Sequence, residues 1–310
     1  MRDDALVRFT AHELPRDELH ALMARADGPA LARAAFHLGI LVVTGTLIWT
    51  LRSTLWVPPL IVVHGYMLAF VFCALHETAH RTAFRTRWLN AALGTVTGLL
   101  VVWPYRNYRV YHWDHHRFTQ DEARDPELFF PKPRSLPAYL FVLTGIPNLI
   151  RRVGDLLRLA AGYADRPWMA PSEQRPLIVE ARAYLAVYLV VAALSLAAGS
   201  AIALVVWLLP WVVGQAFLRP YLLAEHTGCA FTRDCLENTR TTLTLFVVRL
   251  FAWNMPYHAD HHAYPAVPFH ALPRLHARLS GKIHNVEPGY VTASIKVTRS
   301  LFATRRLSVR

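Results

Sequence analysis

Four apolar runs set the limits on what this chain can fold into. Ala34 to Leu51 carries no ionisable side chain except His37, and Trp56 to Leu75 follows after a break at Arg52, Ser53 and Thr54. Tyr184 to Ala198 and Ala201 to Phe217 hold no Asp, Glu, Lys or Arg and are separated only by Gly199 and Ser200. About 20 apolar residues in a helix cross a hydrocarbon core. In lipid each backbone N–H and C=O must be paired inside its own segment, which excludes lone strands and leaves helices. Both breaks are too short for a domain, so each pair of runs forms a hairpin. The expected fold is all-α and integral to the membrane, with four transmembrane helices in two hairpins and a cytoplasmic helical cap. Composition agrees: 17% of residues are charged, against about 25% in soluble domains, and mean hydropathy is +0.24.

The formal net charge is +12. The basic residues are dispersed among aliphatic spans, which argues against nucleic-acid binding and for the loading of cytoplasmic segments with Lys and Arg. Residues 81 to 181 are rich in arginine and should face the cytoplasm. Four crossings then put both termini on that side. Residues 1 to 30 mix both signs of charge around Pro15 and Gly28 and have no basic-then-apolar signal pattern. They form a cytoplasmic N-terminal segment, with a surface helix expected near Asp17 to Ala26. Leu89 to Trp103 and Leu136 to Ile150 are too short to cross and read as interfacial helices. Pro167, Pro171 and Pro176 mark a loop. Cys73, Cys229 and Cys235 form no CxxC and read as free thiols. From Gly281 to Arg310 the chain reads as a basic tail, solvated or lying on anionic headgroups. One membrane domain, 1–310, accounts for the whole.

Three histidine motifs lie on the predicted cytoplasmic face: His76-Glu77-Thr78-Ala79-His80, His112-Trp113-Asp114-His115-His116 and His258-Ala259-Asp260-His261-His262. On a helix, residues three and four apart share a face, so each motif aims its imidazoles at one region. Imidazole is the commonest side-chain ligand for Zn, Cu, Fe and Ni. Eight histidines exceed the four ligands of one tetrahedral zinc, and a nitrogen-rich site for two metals is expected. His64 sits inside a span on another face from His76 and reads as a packing residue. His270 and His276 read as supports of the loop around Pro265, Pro268 and Pro273. Asp125 and Glu127, with Arg117 and Arg124, suit a substrate head or a surface ion-pair network. Trp103, Tyr105, Tyr108, Tyr111 and Trp113 suit an acyl tunnel or an interfacial aromatic belt. The first motif is also a literal H-E-x-x-H, in which two histidines bind zinc and Glu77 is the base of a metalloprotease. That alternative leaves six clustered histidines without a use. A metal-binding membrane protein without catalysis is a third possibility.

Order and setting of the motifs give the chain its resemblance to the membrane fatty acid desaturase and hydroxylase family. The resemblance runs from about His64 to His276 and includes Asp125-Pro126-Glu127, Asn254-Met255-Pro256-Tyr257-His258 and Pro268-Phe269-His270-Ala271-Leu272-Pro273. It implies a non-haem centre of two iron ions, O2 as co-substrate and removal of hydrogen from an unactivated methylene of a lipid chain. The implied ligands are His76, His80, His112, His115, His116, His258, His261 and His262. A ninth is His226 in Leu223-Ala224-Glu225-His226, and no catalytic group is expected beyond the ligands. Glu77, Asp114, Glu225 and Asp260 are the carboxylates expected to orient imidazoles. Some relatives carry a water-holding Asn four residues before the ninth histidine, and here that position is Leu222. The implied activity is desaturation of an acyl group on a lipid, CoA or carrier protein. The alternative within the family is a lipid or carotenoid hydroxylase or ketolase. The chain has no dinucleotide fingerprint and no haem or iron–sulfur cysteine pattern. Electrons are therefore expected from an external ferredoxin, rubredoxin or cytochrome.

Overall fold

The computed structural model describes residues 14–130, 132–133 and 135–303, and it is mostly helical. A short helix α1 (Arg16–Leu22) precedes α2 (Asp27–Thr50) and α3 (Val57–Ala79). Next come α4 (Arg87–Leu100), α5 (Tyr105–Phe118), α6 (Leu136–Leu143), α7 (Ile146–Ala160) and α8 (Pro171–Ala197). A π-helical segment, Leu204–Leu208, leads into α9 (Leu209–His226). The remainder is α10 (Cys235–Asn238), β1 (Arg240–Thr242), α11 (Phe246–Phe251), α12 (His258–Ala263), α13 (Leu272–Leu279), β2 (Asn285–Glu287) and α14 (Tyr290–Ala303).

Four segments of described residues are helices long and apolar enough to cross a membrane: Arg16–Thr50, within which α2 carries the apolar run, Val57–Ala79, Pro171–Ala197 and Leu204–His226. These helices outrun the apolar stretches of the sequence. α8 begins at Pro171 with Pro176 inside it, so only Pro167 lies in a loop. Pro171's missing N–H costs nothing in the first helical turn, where that donor has no partner anyway, whereas Pro176 in the second turn leaves the Ser172 carbonyl without its helical donor. α8 turns Leu189, Val190, Leu194 and Leu196 outward, the arrangement lipid allows. α4, α6 and α7 are helices of 14, 8 and 15 residues. α6 and α7 are split at Gly145, whose φ of 71° suits a residue without Cβ.

At the centre, α3 packs against α2, α4 and α9. Gly65 and Gly214 make the α3–α9 crossing close: a Cβ on Gly214 would overlap the Gly65 carbonyl, and one on Gly65 would overlap the Pro210 carbonyl. Small residues at a helix crossing let the backbones meet. That contact fixes the two helices whose ends carry His76 and His226.

His64 has the structural role its position suggested. Pro210 has no N–H for the Val206 carbonyl one turn earlier. His64 Nε2 donates to that oxygen at 3.0 Å, and its Nδ1 lies 2.6 Å from Thr44 Oγ1.

The C-terminal stretch departs from the expected tail. β2 pairs in parallel with β1, Thr241 opposite Val286. α14 packs on α9, with Val297 buried and the Tyr290 and Tyr221 rings 5.2 Å apart. Its apolar side, Tyr290, Ala293, Val297 and Leu301, recurs at helical spacing and finds a partner in α9. Arg305, Arg306 and Arg310 of the expected tail lie outside the described residues, as does Arg134 of the arginine-rich stretch. The expected surface helix is α1, which ends before Ala26.

Candidate metal centre

α3 delivers His76 in its last turn, and His80 caps its end. α5 presents His112, His115 and His116 together with Tyr108 and Tyr111 on its buried side. α9 ends on His226, and α12, though only six residues long, buries His258, His261 and His262. The short helix is held from its flank. Thr241 on β1 donates to Asp260 Oδ2 at 2.9 Å and accepts from the Ala259 N–H at 3.2 Å.

The nine histidines converge in two buried groups: His76, His80, His112, His116 and His261, and His115, His226, His258 and His262. In the first, Nε2 atoms approach at 2.8 Å (His80–His112), 2.9 Å (His76–His261), 3.0 Å (His112–His116) and 3.1 Å (His80–His261). In the second, His226 Nε2 lies 3.2 Å from His115 and 3.1 Å from His258. Nitrogens about 2.1 Å from one shared cation at right angles stand about 3.0 Å apart. A hydrogen bond joins one donor to one acceptor, and it does not explain five nitrogens drawn to one point. Each group could hold a metal ion.

Burial, reinforced by the neighbouring imidazoles, holds His80, His112, His116, His258 and His262 well below the usual histidine range. Burial takes His261 down to about 3. Neutral rings keep lone pairs for a cation. His115 is the exception. Burial would lower it, but Glu127 and Asp125 outweigh that and lift it to about 9. A cation binding there must displace that proton.

Of the four carboxylates expected to orient imidazoles, Glu225 comes nearest, its Oε1 3.5 Å from a His258 Nδ1 that has no hydrogen-bond partner among the described residues. Glu77 instead accepts from Thr82 Oγ1 at 3.0 Å. Asp114 pairs with Arg117 at 2.8 Å on the outer side of α5. Asp260 serves Thr241 and His276, whose Nδ1 lies 3.2 Å away. Each of these three sits one or two residues from a histidine of its motif, a rotation of about 100 or 200° around the helix, and so faces away from the cluster. The carboxylate that does the most is Asp125, buried and ten residues beyond its partner: His115 Nδ1–H donates to Oδ1 at 2.9 Å. Backbone N–H groups of Glu127 and Gln120 add bonds at 2.9 Å each. A carboxylate only accepts, so Nδ1 keeps its proton, and the one a cation would displace is on Nε2, which faces His226. The chain returns through Gln120 at φ 63°, a tertiary reversal that helical spacing does not announce. Tyr108 and Thr119 also touch cluster rings, their hydroxyls each 3.2 Å from Nδ1 of His76 and His262.

A cavity of about 410 Å³ adjoins the cluster, with His112, His115, His226 and His258 in its wall beside Phe72, Trp103, Tyr108 and Tyr111. These aromatics face inward and form no outer belt. Leu222, in the position of the family's Asn, lines the same cavity.

Four helices long and apolar enough to cross a membrane, with two buried histidine groups that could each hold a metal ion, set the class of this mostly helical chain. Comparison narrows the class: the fatty acid desaturase family profile matches residues 53–294, and the chain belongs to that family. It is 23% identical to an sn-1 oleoyl-lipid 12-desaturase of Picosynechococcus sp. over 86% of this chain and 80% of the relative. It is 26% identical to an omega-6 fatty acid desaturase of Glycine max, covering 68% of this chain and 62% of the relative. A beta-carotene 4-ketolase of Haematococcus lacustris is 27% identical over 34% of each chain.

Proposed function

We propose that the chain is an O2-dependent di-iron desaturase of an acyl lipid, with nine histidines as iron ligands. His76, His80, His112, His116 and His261 would hold one iron, and His115, His226, His258 and His262 the other. The observation that carries this is the convergence of their nitrogens in two buried groups. Family membership supports iron and O2 as the chemistry, and the named desaturases support a lipid substrate. Bound iron would supply the oxidising power for an unactivated C–H bond.

The chain's own groups would hold that centre and keep it dry. Asp125 fixes the His115 tautomer, and Tyr108 steadies His76. Phe72, Trp103, Tyr108 and Tyr111 line the approach with apolar surface that excludes water. We place the site and both termini on the cytoplasmic side of one domain of two membrane hairpins. The four spans and the arginine-rich segments between them support that placement. Electrons would come from a separate ferredoxin, rubredoxin or cytochrome docking on the basic face.

A hydroxylase or ketolase is the second reading, supported by the ketolase relative, and Leu222 in place of Asn weakens the transfer of the reaction outcome from relatives that carry the Asn. The protease reading is disfavoured because it would use only His76 and His80 of the nine gathered histidines, and the base it needs, Glu77, is bonded to Thr82.

Metal per chain, counted on detergent-purified protein beside His261→Ala, tests the centre. Two irons falling in the variant support it, and one zinc indifferent to His261→Ala overturns it. Lipid products formed with and without O2 then separate a new double bond from a new C–O bond.

A further inference from the structure

The cavity wall also carries positive charge that the proposed chemistry leaves without a task. Arg152 on α7 and Arg219 on α9 both line it and are 5% and 6% exposed. Arg152 Nη1 donates to the Val101 carbonyl at 2.7 Å, its guanidinium lies 4.3 Å over the Trp103 ring, and its Nε has no partner. Arg219 Nε donates to Gln215 Oε1 at 2.9 Å, and its Nη2 has no partner. Among the described residues neither forms a close salt bridge, although Glu127 and Glu225 lie near enough to Arg219 to attract its charge. The carboxylates of the same cavity face imidazoles instead: Asp125 and Glu127 face His115, and Glu225 faces His258.

A buried guanidinium nitrogen without a partner calls for an acceptor, and Arg219 lies in the candidate span Leu204–His226, where an ionisable group marks a functional site. The Arg fork matches oxyanions, carboxylate above all. Phe72 links this corner to the metal centre: the Arg152 Cζ is 6.0 Å from its ring centroid, and the His76 ring is 6.3 Å from that same centroid. One aromatic ring therefore separates an anion on Arg152 from the histidines. At about 410 Å³ the cavity lies near the small end of ligand sites, which run from about 300 to 1,000 Å³.

We propose that Arg152 and Arg219 form an oxyanion subsite, and that the acyl substrate is narrowed from an esterified lipid to a free carboxylic acid of short to medium chain. Its acid group binds the two arginines and a nearby methylene lies against the histidine cluster. The identity of the substrate rests on the desaturase reading; the subsite itself does not.

Calorimetry on the metal-loaded full chain in detergent tests this, with octanoate, its methyl ester and dioctanoyl phosphatidate as probes. The expected result is binding of octanoate that weakens about ten- to hundredfold in Arg152→Gln and in Arg219→Gln, the loss expected for a charge-assisted contact. The ester should bind equally weakly to all forms, and surface Arg117→Gln should match the wild type. Equal binding of acid and ester, or no effect of either variant, overturns the subsite. Arginine-dependent binding of phosphatidate alone overturns the free acid and assigns the subsite to a lipid phosphate. Should the variants not fold, the acid-to-ester ratio of the wild type decides. Metal content and O2-dependent product on the same samples separate the two layers. Oxidation of a long-chain lipid indifferent to both variants sinks the subsite and leaves the desaturase. Arginine-dependent acid binding by a chain that holds no metal sinks the desaturase and leaves the subsite.

Discussion

Asp125→Asn is the substitution that most directly probes how the second histidine group is held. The carboxylate takes three hydrogen bonds of 2.9 Å: His115 Nδ1 and Glu127 N–H on Oδ1, and Gln120 N–H on Oδ2. If the amide oxygen of Asn takes the Oδ1 position, its NH2 meets the Gln120 N–H, and two buried donors oppose each other. If the amide flips, the NH2 meets His115 Nδ1, which must then accept. The His115 proton moves to Nε2, and the lone pair facing His226 disappears. Either way a charge-assisted bond worth about 1.5–3 kcal/mol is lost and a buried donor is stranded. Removing a carboxylate behind a ligating imidazole typically weakens metal binding about 10- to 100-fold. The assay is metal retained per chain against a graded competing chelator, in detergent, with melting followed in parallel. One of two ions should come off at about ten- to hundredfold lower chelator, while the ion of the five-histidine group stays. Asp114→Asn should change neither, because Asp114 pairs with Arg117 at the surface, where such a pair is worth about 1 kcal/mol or less. Loss of both ions together, or of none, would refute the assignment of Asp125 to His115.

Further outcomes follow from the same geometry. Gly214→Ala should drive α3 from α9 by setting a Cβ against the Gly65 carbonyl, at about 1–3 kcal/mol; lower melting with reduced metal content checks this, and wild-type melting would exclude a tight crossing. His226→Ala should release one ion of two, since His226 alone of the second group bridges His115 and His258 at 3.2 and 3.1 Å; metal counting reads it, and two retained ions remove His226 from the ligand set. Glu77→Gln keeps an acceptor for Thr82, so O2-dependent lipid oxidation should persist, whereas its abolition with metal intact would revive a general base. Stripping metal should lower the melting temperature, because a ligand held at a thousand times its Kd stabilises the fold by about 4 kcal/mol; equal melting with and without chelator would mean that the histidines hold no tightly bound ion.

What the sequence determined by itself was anything carried by local periodicity. The four apolar helices and the shared faces of His112, His115 and His116 follow from helix geometry and from a medium that leaves no other backbone solution. The gathering of the histidines was legible for the same reason. Their division into groups of five and four was not. His115 and His116 are adjacent in sequence yet belong to different groups, because that choice depends on how α3, α9 and α12 meet α5. The orienting carboxylates failed on the same ground. Asp114 and Asp260 are neighbours along the chain, and helical twist turns them away, whereas Asp125 returns only through the turn at Gln120. Arg152 belongs to the arginine-rich stretch expected to face the cytoplasm and Arg219 to no sequence pattern, yet α7 and α9 bury both against one cavity. The basic tail looked free until β2 found β1 and α14 found α9. Patterns of period 3.6 are written locally. Which faces meet is decided by packing between residues far apart in sequence, such as Gly65 against Gly214, and no local pattern encodes that choice.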